Sequence, residues 1–101
     1  MPVYCVLLQL AEPLHDYTAL MNEIERSTDD CVQLLEHVWI VRTWRSALEL
    51  YDRFSPFICM NDKILVFTAG TTYYGQGFDT ITRKWMSDNW QRPPEKRKGN
   101  L

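Results

Sequence analysis

CVQLLEHVWIVRT, residues 31–43, is the stretch that decides the fold. It holds two runs rich in β-formers, 31–35 and 38–43, separated only by Glu36-His37, and two such runs across a two-residue break pair as a hairpin. On its N-terminal side, Tyr17, Leu20, Met21 and Ile24 repeat at i, i+3, i+4 and i+7, the spacing of one buried helix face. Asp16 is placed to cap that helix and Asp29-Asp30 to break it. Further out lies VYCVLLQL, residues 3–10, a strand closed by Glu12-Pro13. On the C-terminal side, Ser46 with Glu49 three residues later reads as a capping box. It opens a helix whose stripe is Ala47, Leu50, Tyr51 and Phe54, with Pro56 past its end. Asn61-Asp62 lead into KILVFTA, residues 63–69, which Gly70 stops. Residues 78–90 complete the pattern as a third helix with Phe78, Ile81, Trp85 and Trp90 on one side.

The order β-α-β-β-α-β followed by a helix is the split βαβ pattern of a ferredoxin-like sandwich. The predicted fold class is therefore α+β: a four-stranded antiparallel sheet, both long helices on one face, and an extra C-terminal helix. The strands do not alternate apolar with polar. Val3, Cys5 and Leu7 point one way while Tyr4, Val6, Leu8 and Leu10 point the other, and Leu65, Phe67 and Ala69 oppose Ile64 and Val66. A sheet with one wet face alternates, so the second face calls for a cover, and a second subunit supplies one most completely. A homodimer is expected.

At 101 residues, 46% apolar and 24% charged, the chain fits one globular domain and excludes collagenous or disordered classes. No apolar run reaches the roughly 18 residues of a membrane span, and the apolar stretch Val3 to Leu10 is short for a signal peptide and lacks a basic flank. The expected location is cytoplasmic, without a membrane partner. Cys5, Cys31 and Cys59 are odd in number and lack CxxC spacing, which suggests neither a disulfide framework nor a zinc site; two of the three lie within apolar runs, where a reduced cysteine is a small buried hydrophobe. Arg92, Lys96, Arg97 and Lys98 against Glu95 give the tail a charge of +3, and the remaining seven basic and twelve acidic side chains leave residues 1–91 at −5. The predicted domain spans 1–91 and the basic tail, expected to be disordered, 92–101. An acidic body argues against broad phosphate binding.

The topology sorts chemistry to the two ends of the sheet. One end gathers Gln9, Glu12, His15, Asp16, Glu36, His37, Asp62 and Lys63. Imidazole beside carboxylate suits a divalent metal that activates water for phosphodiester hydrolysis, and Glu12, His15 and Asp16 are the catalytic candidates. Helix starts and turns favour the same residue types, so a purely structural role stands beside that reading. The opposite end gathers Arg26, Arg42, Trp44 and Arg45 near the start of the second helix. There Arg42 and Arg45 are candidate phosphate contacts and Trp44 a surface for stacking on a base; arginines paired with surface acids are the alternative. GTTYYGQG, residues 70–77, lacks the spacing and the Lys-Ser/Thr of a phosphate-binding loop.

VYCVLLQLAEPLHDYTAL, VWIVRTWRSALEL, and NDKILVF followed by YYG and a Trp-rich helix resemble the SinR-like small bacterial proteins. These are relatives of the small CRISPR-associated ferredoxin-fold endonuclease, which also serves as the central subunit of spacer integration. The resemblance covers residues 3–90. It implies a homodimer, RNA or DNA as the usual partner, and Mg or Mn in those members that cleave; association with a larger bacterial defence or mobile-element assembly is one expectation for such a module. In the nuclease family an aspartate near the end of the first strand holds the metal; the matching position here is Gln9. An amide lacks the charge a magnesium ligand supplies. The sequence thus points to a non-catalytic nucleic-acid-associated or assembly module with no cofactor. Its alternatives are a toxin-like metal-dependent endonuclease, cutting RNA or DNA, and a protein-interaction subunit without nucleic acid.

Overall fold

The computed structural model describes residues 1–70 and 72–90. The chain divides into two compact units, Met1–Ala69 and a second beginning at Gly70. The expected tail lies outside the described residues.

In the first unit β1 (Val3–Gln9) is followed by α1 (Thr18–Arg26), β2 (Asp30–Leu35), β3 (Val38–Arg42), α2 (Ala47–Phe54) and β4 (Lys63–Thr68). The sheet runs β2-β3-β1-β4 with every neighbouring pair antiparallel. This is the predicted α+β sandwich, with β1 and β3 at the centre. The hairpin forms across Glu36-His37 as expected, with a register irregularity between Gln33 and Leu35.

One face of the sheet and the two helices share the core. Val6, Leu20, Ile24, Val41, Leu50 and Phe54 are fully buried, and Tyr4, Leu8 and Trp39 nearly so. Each such apolar side chain contributes roughly 1.5–3 kcal/mol by leaving water. The helices form because their stripes meet this surface and because α2 starts on a complete capping box: Ser46 Oγ accepts from Glu49 N and Glu49 Oε1 from Ser46 N, both at 3.1 Å. α1 differs from expectation. Asp16 does not cap it directly; its Oδ1 accepts from Thr18 N at 2.9 Å and from Thr18 Oγ1 at 2.6 Å, a local turn that delays the helix to Thr18. Tyr51 also departs from its predicted place in the core, standing exposed on the outer side of α2.

Register places Val32, Ile40, Cys5 and Phe67 in one row on the face away from the helices, and Val38, Leu7 and Leu65 in the next. Cys5 and Ile40 are buried there, whereas Leu7, Leu65 and Phe67 are 40%, 56% and 42% exposed. The two-sided apolar character read from the strands is present.

The second unit carries α3 (Thr80–Trp85), capped by Asp79, whose Oδ1 accepts from Thr82 N at 2.7 Å, and continues as a wider π-helical turn over Met86–Trp90. Trp90 stacks on Tyr73 with centroids 4.6 Å apart and donates Nε1–H to Gly70 O at 2.7 Å. These contacts close the segment on itself. Phe78 precedes α3, and Ile81 is exposed rather than on a buried stripe.

Candidate functional site

The side chains sorted to the two ends of the sheet are hydrogen-bonded in different ways. At the first, Gln9 lies opposite Lys63, and Leu8 N donates to His37 O at 2.9 Å. The organiser of this end is Asp62. Its Oδ1 accepts from Ala11 N at 2.7 Å and its Oδ2 from Cys59 N at 2.8 Å, and the Tyr17 hydroxyl lies 2.8 Å from both oxygens. Tyr17 also accepts from Glu12 N at 3.4 Å. Burial works to raise the Asp62 carboxyl, yet the amides of Ala11 and Cys59 and the Tyr17 hydroxyl hold it below its ordinary value. The same partial burial, then the bond to Asp62, pushes the Tyr17 phenol up.

The three catalytic candidates therefore stand as follows. Asp16 is engaged by Thr18, whose hydroxyl and amide hold its carboxyl down. His15 meets the Tyr17 ring edge-on at 4.7 Å. The Glu12 carboxylate makes one long contact among the described residues, 3.4 Å from Asn61 Nδ2. Glu12 and His15 share a surface cleft of about 460 Å³ with Pro13, Leu14, Cys59 and Met60. His37 pairs with Glu36 at 3.8 Å. Among the described residues, no three His, Cys, Asp or Glu side chains are grouped to hold a metal. Sequence reading placed Asp62 at this end but missed its bond to Tyr17, which spans 45 positions. The only hint was Asn61-Asp62, a turn pair read there simply as the lead-in to a strand.

At the other end a cleft of about 350 Å³ lies between the α1–β2 turn and the β3–α2 connection, lined by Arg26, Asp29, Thr43, Trp44, Arg45 and Glu49 among others. Trp44 is 73% exposed, although the backbone on both sides of it is fixed. Thr43 N donates to Pro2 O at 3.2 Å, Arg45 N to Thr43 Oγ1 at 3.2 Å, and Arg45 Nε to Ser27 O at 2.9 Å. Arg45 also approaches Glu49 at 3.8 Å. Arg26 binds Glu23 through Nε and Nη2. Glu23 is buried; the Ser27 hydroxyl at 2.6 Å and then Arg26 hold its carboxyl down, and Arg53 reaches it from α2 at 3.8 Å.

Two expectations change here. Arg42, one residue from Val41 on the core face, projects from the opposite face of the sheet in the row of Val3 and Asp30, so it does not join Trp44 and Arg45; its buried Nε has no partner among the described residues. Strand parity already carried that signal. At the start of α2 the amides of Ser46 and Glu49 are taken by the capping box, which leaves less for an anion than a bare helix start offers.

Cys5 and Cys31 are free thiols pushed up by burial, and Cys59, also free of a disulfide, hydrogen-bonds through its side chain to Tyr17 and Asp62. No protein-family model, curated protein or solved structure matches this chain.

Proposed function

We propose that this protein is a dimeric, non-catalytic module that associates with nucleic acid, the role implied by its resemblance to the SinR-like proteins. The observation that carries the reading is the exposed indole of Trp44, held on a fixed backbone in a cleft that Arg26 and Arg45 also line. An aromatic face with guanidinium groups beside it is the composition of a base-stacking site. Leu7, Leu65 and Phe67, exposed together on the sheet face away from the helices, support pairing with a second copy. Gln9 at the end of β1 and the engagement of Asp16 and Asp62 support the absence of metal-dependent cleavage.

Labelled RNA and DNA incubated with the protein in magnesium, in manganese and in chelator test this directly. The expected result is retarded but intact strands under all three conditions, with light scattering giving twice the 12.0 kDa chain mass. Metal-dependent cleavage lost in Glu12→Ala or Asp16→Ala establishes the nuclease alternative instead. A dimer that retards neither strand establishes the protein-interaction alternative, which the acidic body favours.

A further inference from the structure

We propose that the cleft between Asp29 and Trp44 takes an unpaired guanine base together with its phosphate. This rests on the nucleic-acid reading and names the ligand of the same site. Continuing the register beyond Asp30↔Arg42 sets Asp29 opposite Thr43, one residue from Trp44, and Asp29 N donates to Arg42 O at 2.9 Å. Asp29 is exposed, and no described residue hydrogen-bonds its carboxylate. The cleft thus offers a free carboxylate beside a free aromatic face.

Each feature narrows the ligand. Two arginines and two carboxylates line the cleft, and Arg26 and Arg45 are already paired with acids. It lacks the positive track a duplex backbone needs, so attraction has to come from a ring face that base pairing would bury. A carboxylate accepts only. On its Watson–Crick edge adenine or cytosine sets an acceptor beside its amine, and uracil or thymine flanks its N–H with two carbonyls; each turns a lone pair toward Asp29. Guanine alone presents two adjacent donors, N1–H and N2–H₂, that match two carboxylate oxygens. The volume of about 350 Å³ suits one nucleotide. Arg26 spends Nε and Nη2 on Glu23 but keeps its side chain 65% exposed, so its Nη1 is the donor for the phosphate.

Fluorescence anisotropy with labelled single-stranded RNA ten-mers, (GU)5, (IU)5 and (AU)5, tests the assignment. Inosine lacks only the N2 amine. The expected order is guanosine first, inosine weaker, and adenosine weaker than the guanosine strand by about tenfold or more, as a bidentate contact predicts. Asp29→Asn should abolish the preference while leaving the thermal midpoint unchanged, and Trp44→Ala should weaken all three strands. Competition by free guanosine monophosphate assigns the site to a mononucleotide as well as a strand; absence of competition assigns it to the strand. Equal binding of all three strands overturns the guanine assignment and leaves the nucleic-acid reading standing. Failure to bind any of them overturns both.

Discussion

The end of the sheet organised by Asp62 and the end carrying Trp44 show opposite uses of polar and aromatic side chains. At the first, a carboxylate joins two loops: Asp62 ties the segment after β1 to the one before β4 through Ala11, Cys59 and Tyr17. At the second, the loops are tied by other means, through Arg45 to Ser27 O and Thr43 N to Pro2 O, and both Trp44 and Asp29 are left over. A concentration of acids or histidines does not by itself make a site. What separates the two ends is whether internal hydrogen bonds already consume the groups, and that is visible only once the chain is folded.

The sharpest way to break the comparison is to remove the organiser. Asp62→Ala leaves the amides of Ala11 and Cys59 and the Tyr17 hydroxyl without their acceptor. At about 1 kcal/mol for each bond, urea unfolding should show a loss of about 2–3 kcal/mol. A loss below about 0.5 kcal/mol would mean that water replaces the carboxylate freely and that this end is no more committed than the other.

Acid should act in the same direction. The carboxyls of Asp62 and Glu23 both lie below their ordinary values in the folded chain, whereas unfolded they titrate near pH 4. Their stabilisation is therefore complete above that pH, is lost as pH falls through the folded values, and is absent below both. The thermal midpoint should decline as the pH is lowered from about 5 toward 2. In Asp62→Ala the decline should be shallower, because one of the two linked groups is gone.

A smaller effect is expected at α2. Ser46→Ala opens the capping box and should cost about 1 kcal/mol, measured by the same urea titration. It also frees Glu49 N from its side-chain acceptor, so a gain in phosphate affinity alongside the loss of stability would show that the box had been competing with an anion.

Much of the fold could be read from residues 3–69 because its determinants are local. The two-residue break at Glu36-His37, the Ser46–Glu49 spacing and the helical periodicity each act within a few positions, and the hairpin, the capping box and both helices formed. Tyr51 and Ile81 were misplaced because helical spacing gives a direction without saying how far the packing surface reaches. The candidate sites were legible as neighbourhoods: topology brought Gln9 to Lys63 and Trp44 to Arg26. Their chemistry was not, since the Asp62–Tyr17 bond joins residues 45 positions apart. Arg42 was legible and misassigned; alternation along β3 sends it away from its neighbour Val41.

The smallest expected effect is also the most discriminating. Trp44 is 73% exposed and forms no part of the core cluster, while the neighbouring backbone is held by Thr43 and Arg45 rather than by the indole. Trp44→Ala should therefore change stability by no more than about 0.5 kcal/mol, the usual range for a surface position. Base stacking on an aromatic side chain is worth about 1–3 kcal/mol, so the same substitution should weaken strand binding by roughly tenfold or more, and with little change in salt dependence because no phosphate contact is lost. Arg45→Ala differs in kind: it removes the bond to Ser27 O as well as a positive charge, so it should lower both stability and the salt slope. If Trp44→Ala destabilised the fold by 2 kcal/mol, the indole would be a structural strut and this end would be as internally committed as the Asp62 end. If it altered neither stability nor binding, the contrast between the two ends would lose its functional meaning.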